Sequence, residues 1–482
     1  MKERLLIGGL LAVMLVAGQS CKEDYEMVDP PIVTDYTDDL DEEQLLGEGK
    51  EVYFVSPFGE GDGSSWDQSL DVAGLRDLLS DATDLSNSVI YLKSGIYPMG
   101  EVAGIGVMVR KDVKAIRGGY SEMSDGTDIS LKSGVTVLSG DVNGNKRADE
   151  GDCNILNVMG GHISIEGCTF QYGYITEASA SAKLFNGACI YVNGVNPANT
   201  SIELKDCVIR DCVSGVTNSG NAGGAAVNIV SGFAKLDGVT LLNNRSDSRG
   251  GAIRCCTYSA VCFLNNCFFS DNYSGTWGTA VQVSQGSLCM NNTSFVRNTG
   301  SGATVNGGGN FLLTNSTIIG EPSDIHGTFR SETGEAGACV FINNIFQIFQ
   351  NYDSRPTLAC PQWSVSDYQT SKGYNIYDVL YQQDGEYKGM VNTDTRFPWA
   401  DFKGEWNGNV FEWDASSLNQ YAKLAEVLTV VEAFNPSANR SPIANLGMAF
   451  KEWCGEQAFA EDYCGNSRNQ EKMQPGAYDA GL

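Results

Sequence analysis

Two groups of side chains in this sequence have the types and spacing that chemistry needs. Between 141 and 152, Asp141, Asn143, Asn145, Asp149 and Asp152 stand at loop positions 1, 3, 5, 9 and 12. At that spacing one turn can offer hard Ca²⁺ several oxygens. Lys146 stands where such loops need glycine for their bend, and with Arg147 it lowers the negative charge, so a solvated acidic turn competes with the calcium reading. The second group is Tyr191, Asn228, Arg254, Gln282 and Asn306, each beside an apolar residue of a recurring pattern. If Ile190, Val227, Ile253, Val281 and Val305 face inward on strands, these five face outward and stack. The strip would suit sugar hydroxyls, with Arg254 able to meet a carboxylate, against the plain alternative of a solvated sheet face.

Enzyme chemistry on polysaccharides makes further demands. A β-elimination lyase needs a Lys or Arg base beside a cation, and a hydrolase needs two carboxylates at suitable separation. Lys205, Asp206, Arg210, Asp211, Arg254 and Arg297 are scattered and assemble into neither set. With two histidines in the chain, His162 and His326, little room is left for a His-built metal centre or triad.

The elements that must position these groups follow from composition and periodicity. The chain has 482 residues, 42% hydrophobic and 19% charged, with 56 Gly and 12 Pro. Apolar content is too high for disorder, and Gly has no collagen period. A formal net charge of −27 argues against a nucleic-acid partner. From about residue 160 an apolar anchor recurs at Phe170, Ile209, Leu241, Phe269, Phe295, Ile318 and Phe346, with separations of 39, 32, 28, 26, 23 and 28 residues. An anchor returning at loosely constant spacing marks a solenoid. Before each anchor stand apolar pairs two apart, from Ile163/Ile165 and Ile202/Leu204 to Phe311/Leu313 and Cys339/Phe341. A second set, Ile190/Val192, Val227/Ile229, Ile253/Cys255 and Val281/Val283, follows Gly-Ala turns. Period two means strand, so the expected fold is all-β: a right-handed parallel β-helix with three short strands per coil. Asn244, Asn272 and Asn298, three after their anchors, are expected at left-handed corners where stacked amides bond along the axis.

Phe269-Ser270-Asp271-Asn272 and Phe295-Val296-Arg297-Asn298 read FxxN, and Gly250-Gly251-Ala252-Ile253 adds GGAI. Together they resemble the repeats of chlamydial polymorphic outer-membrane proteins, which are found also in Bacteroidetes surface proteins, within the pectate-lyase-like fold. Val52 to Pro57, Gly61 to Trp66, Ile90 to Tyr97, Arg117 to Tyr120, Leu138 to Asp141, Asp462 to Arg468 and Pro475 to Tyr478 follow in that family's order. An amphipathic helix near 71–81, with Val72, Leu75, Leu78 and Leu79 on one face, is the expected N-terminal cap.

The start of the chain reads as an address. Lys2 and Arg4 precede an apolar run to Ala17, too short for a membrane span, and then Cys21. This resembles a relaxed Bacteroidetes lipobox, which implies acylation of Cys21. Lys22-Glu23-Asp24 resembles the acidic export signal to the outer leaflet of the outer membrane. Eleven acidic residues against two lysines between Cys21 and Lys50 predict an extended tether. The expected organisation is therefore a leader 1–20, a tether 21–50, a cap and first coils 51–150, repeats 151–346, and irregular coils with a cap 347–482. Fourteen further cysteines without a CxxC read as interior thiols, with Cys454 and Cys464 the pair to test for a bridge.

These readings converge on a lipid-anchored protein displayed on the outer membrane. The expected role is non-catalytic adhesion to a polysaccharide or host surface. The alternative is a lyase or hydrolase acting on acidic polysaccharide along the β-helix face.

Overall fold

The computed structural model describes residues 51–81, 85–121, 131–132, 134–177, 186–217 and 220–320. It also describes strand segments at 329–331, 339–350, 358–359, 369–371, 375–383 and 386–394, and residues 422–436, 441–443, 445–473 and 476–477. The expected leader, Cys21 and the tether lie outside the described residues. No helix among the described residues is long and apolar enough to cross a membrane.

Successive coils stack as a right-handed parallel β-helix. Its first wall contains Leu156–Val158, Ile190–Asn193, the start of Val227–Asp237, Ile253–Cys255, Val281–Val283 and Val305–Gly307, paired in parallel coil on coil. The second runs from Glu51–Val55 through Gly161–Glu166, Thr200–Lys205, Ala260–Asn265 and Ser287–Asn291 to Cys339–Ile342. The third wall holds the anchors. Phe170 pairs with Ile209, and the register continues through Leu241, Phe269, Phe295, Ile318 and Phe346. All seven are buried, and the Phe269 and Phe295 rings stack at 4.4 Å. A short fourth wall, Tyr174–Thr176 to Thr299–Gly300, adds a side that the three-strand expectation lacked. Each wall strand finds its hydrogen bonds on the coils above and below, so edges arise only at the ends.

Corners explain the repeat. Three residues before each anchor, Gly167, Asp206, Gly238, Asn266, Asn292, Asn315 and Asn343 all have positive φ, the region that Gly, Asn and Asp enter at least cost. The next residue is a donor in six of the seven coils. Cys207 and Cys267 Sγ, Thr293 and Ser316 Oγ and Asn344 Nδ2 each donate to the carbonyl two residues back, as Cys168 does. The thiols thus serve as weak donors as well as small apolar fillers. Among the described cysteines all are free, including Cys454 and the exposed Cys464.

At the second corner the amide ladder forms, with one correction. The left-handed residues are Asn243, Asp271 and Arg297, one before the ladder asparagines. Asn244 Nδ2 donates to Asn272 Oδ1 at 3.0 Å, and Asn272 Nδ2 to Asn298 Oδ1 at 2.9 Å. Being buried, these amides need every partner they can reach. The GGAI glycines are also explained. Gly224, Gly250 and Gly278 share one position and have φ of +60, +64 and +68, while a Cβ on Gly251 would lie 2.1 Å from Thr279 O.

Helix α1 (Val72–Ser80) forms where expected. Asp71 caps it by accepting from Gly74 N, and Leu75 and Leu79 join the solenoid core. At the other end the strand Asn375–Gln383 pairs antiparallel with Glu386–Asp394. The helices α2 (Leu424–Ala433), α3 (Leu446–Cys454) and α4 (Gln457–Ala460) lie along the flank of the solenoid. Val427, Val431, Leu446, Phe450 and Phe459 pack on the outer side chains of the second wall, Phe233, Val261, Phe263, Cys289, Leu312 and Ile342. Asp462 Oδ1 then accepts from Cys464 N and Asn466 N, and buried Arg468 donates to Glu461 O, Gly476 O and Asn292 Oδ1, fastening this cover to a corner.

Candidate functional site

The strip Tyr191, Asn228, Arg254, Gln282 and Asn306 is stacked in direct register. It is not open to solvent, however. Relative exposures are 3, 0, 1, 3 and 0%. The turn entering the coil folds back over its middle, at Asn228 and Arg254, while Asn306 Nδ2 donates to Gln282 Oε1 at 2.8 Å. Arg254 donates to the carbonyls of Ala222 and Gly220, and Asn228 Nδ2 donates to Asn221 O and Gly223 O at 2.8 and 2.9 Å. Gly223, at φ +134, permits this approach, since a Cβ there would lie 3.1 Å from Arg254 Cδ. Burial pulls the Arg254 guanidinium down and pushes the Tyr191 hydroxyl up to about 12. The expectation of a solvent-facing strip is corrected. At Asn228 and Arg254 backbone carbonyls occupy the side a sugar would have to approach.

In the 141–152 loop the expected ligands do converge. Asn143 and Asn145 aim their Nδ2 groups at the two Asp149 oxygens, at 2.9 and 2.7 Å. Asp141 accepts from Gly144, Asn145 and Lys146 N–H groups, and Asp152 from Val142 and Asp149. As oriented the amides present donors, opposite to the carbonyl orientation that ligates a cation. Lys146 takes the left-handed bend itself, at φ +61. Among the described residues no group of three His, Cys, Asp or Glu side chains is placed to hold a metal.

An open groove lies instead on the outer face of the second wall, with a volume near 330 Å³. Alternation along three stacked strands builds its floor. Asp112 and Lys114, His162 and Ser164, and Ser201 and Glu203 supply the outward positions, with Ser86 beyond. His162 pairs with Ser201 and Ser164 with Glu203 across the coils. His162 Nδ1 lies 2.7 Å from Ser201 Oγ, and Asp112 Oδ1 accepts from His162 N at 2.7 Å. Glu203 Oε1 accepts from Trp453 Nε1 at 3.1 Å, and Lys235 Nζ lies 3.9 Å from Oε2. The groove ends where the second wall turns apolar and α3 covers it.

Of these groove residues the sequence singles out His162 alone, by the rarity of histidine in the chain. The readable signal was the outward half of the alternation. It is polar at Asp112/Lys114, His162/Ser164 and Ser201/Glu203, mixed at Phe233/Lys235, then apolar at Val261 and Phe263.

No protein-family model matches the chain. No curated protein matches it either. Among solved structures, a crystal structure of pectate lyase Pel9A is similar to 70% of this chain and 78% of that one, at 14% identity and a TM-score of 0.37. The functional reading therefore rests on the side chains of this chain.

Proposed function

We propose that this protein is a lipid-anchored surface β-helix that binds glycans through the groove on its second wall without turning them over. One observation carries the reading: a row of hydrogen-bonding side chains, repeated at strand spacing over three coils, lines an open groove. A rigid sheet holds such donors and acceptors without the ordering cost that loops incur. Binding is favoured over turnover because the groove's carboxylates are already engaged in positioning. Asp112 is held on the His162 backbone and Glu203 between Trp453 and Lys235. Display at the surface is supported by the leader, by Cys21 and by the acidic tether that follows.

Glycan-array and host-matrix binding by residues 22–482 tests the role. The expected result is binding that Ser164→Tyr, which fills the groove, abolishes without lowering the melting temperature. Failure to bind either panel, or full binding by the variant, refutes it. Labelled palmitate incorporated by the wild type and lost in Cys21→Ser tests the anchor.

A further inference from the structure

We infer that the occupant of the groove is a neutral, hydroxyl-rich oligosaccharide and that Trp453, from the C-terminal cover, forms the wall against which it ends. The inference rests on the glycan-binding reading and names its ligand class and a specificity-determining residue.

Charge decides the class. The groove presents Asp112 and Glu203 against Lys114, with His162 between and Lys235 3.9 Å from Glu203, so it holds no excess of positive charge, on a chain of net charge −27. A polyanionic glycan would find no surplus of cations to meet its charge, within a repelling field. Sugar hydroxyls, by contrast, donate to carboxylates and exchange bonds with Ser164, Ser201 and His162. The outermost of the three coils are about 10 Å apart, enough for a short oligosaccharide to lie along the solenoid axis.

Geometry decides the end wall. Trp453 is half-buried, and its ring packs at 5.8 Å from Phe263 and 6.0 Å from Phe450. Its indole N–H reaches Glu203 at the groove edge. A large ring held rigid by aromatic neighbours, with its polar edge committed to a binding carboxylate, is suited to the C–H face of a sugar. Residues 250 positions apart in sequence therefore complete one site. The α2–α3 cover has a second role beside sealing the apolar half of the wall.

The test uses the full chain, with mannohexaose, cellohexaose and xylohexaose as neutral probes and hexagalacturonate as the acidic one. Calorimetry reads affinity, and the Trp453 indole resonance, assigned by its absence from Trp453→Phe, reads proximity. The expected result is a neutral hexaose that binds and shifts the indole signal. Trp453→Phe, which keeps a ring against Phe263 and Phe450 but removes the wider indole face and the N–H that fixes it to Glu203, then weakens it by about tenfold, at unchanged melting temperature. Preference for hexagalacturonate, or a neutral hexaose bound equally by wild type and Trp453→Phe, overturns this inference and leaves the glycan reading standing. Absence of binding by every probe overturns both.

Discussion

Asn272 offers a direct test of what holds the coils in register. Its Nδ2 donates to Leu241 O at 3.0 Å and to Asn298 Oδ1 at 2.9 Å. Its Oδ1 accepts from Asn244 N at 3.1 Å and Asn244 Nδ2 at 3.0 Å. Asn272→Ala removes all four bonds at a site with no exposure. The Asn244 N–H loses its side-chain acceptor, at about 1–3 kcal/mol, and the other three bonds are worth about 1 kcal/mol each, so roughly 4–6 kcal/mol is lost. Asn272→Asp sharpens the test. It keeps the acceptor but turns a second oxygen toward Leu241 O and Asn298 Oδ1. Burial raises the new carboxyl above its unfolded value near 4, so the penalty is present at neutral pH and shrinks as pH falls through the folded value. The control is Asn243→Gly, one residue before the ladder's Asn244, exposed and at φ +49, which glycine accepts without strain and where only an exposed bond to Asp211 is given up. Urea unfolding followed by circular dichroism at two pH values reads all three. An Asn272→Ala variant within about 0.5 kcal/mol of wild type, the range of ordinary surface changes, would refute the ladder as a stabilising element. An Asn272→Asp penalty that grows on acidification would refute the charge argument.

Three further outcomes are expected. Phe269→Asp buries an unpaired charge between Leu241 and Phe295 and loses several kcal/mol, whereas Thr240→Asp, on the outer side of the same wall, is nearly silent; equal melting temperatures would contradict the register. Burial pushes the Asp271 carboxyl up, but hydrogen bonds from Arg297 and Ser270 hold it below the ordinary value. Its contribution is therefore present above the unfolded value and lost as pH falls through the lower folded one, and Arg297→Gln moves the carboxyl up in an NMR titration. Lys146→Gly relieves a left-handed residue worth about 1 kcal/mol and raises the melting temperature, while chelator leaves the wild type unchanged. A drop on adding chelator would establish the loop as a calcium site.

Much of the architecture was legible along the chain because a solenoid is nearly one-dimensional. Each coil needs inward residues at period two, and the coil above needs the same, so local pattern and tertiary contact coincide at Ile202, Leu236, Phe269 and Leu313. The corner code was equally present, in Gly, Asp or Asn three before each anchor, but it becomes visible only once the anchors are aligned. Outward residues carry no such constraint. Whether Tyr191, Asn228 and Arg254 meet water or carbonyl groups depends on where the turn at 220–223 folds, and alternation says nothing of that.

The sequence alone determined the winding, the inward register and the amide ladder, since each is a demand that one coil makes on the next. Tertiary structure decided which outer face stays open. The C-terminal helices cover the second wall from Phe233 to Ile342 because apolar side chains there exclude water from both sides of the strand. They stop at Glu203, where the face turns polar. Trp453 arrives at that border from far along the chain, and no period within either segment could have announced the meeting.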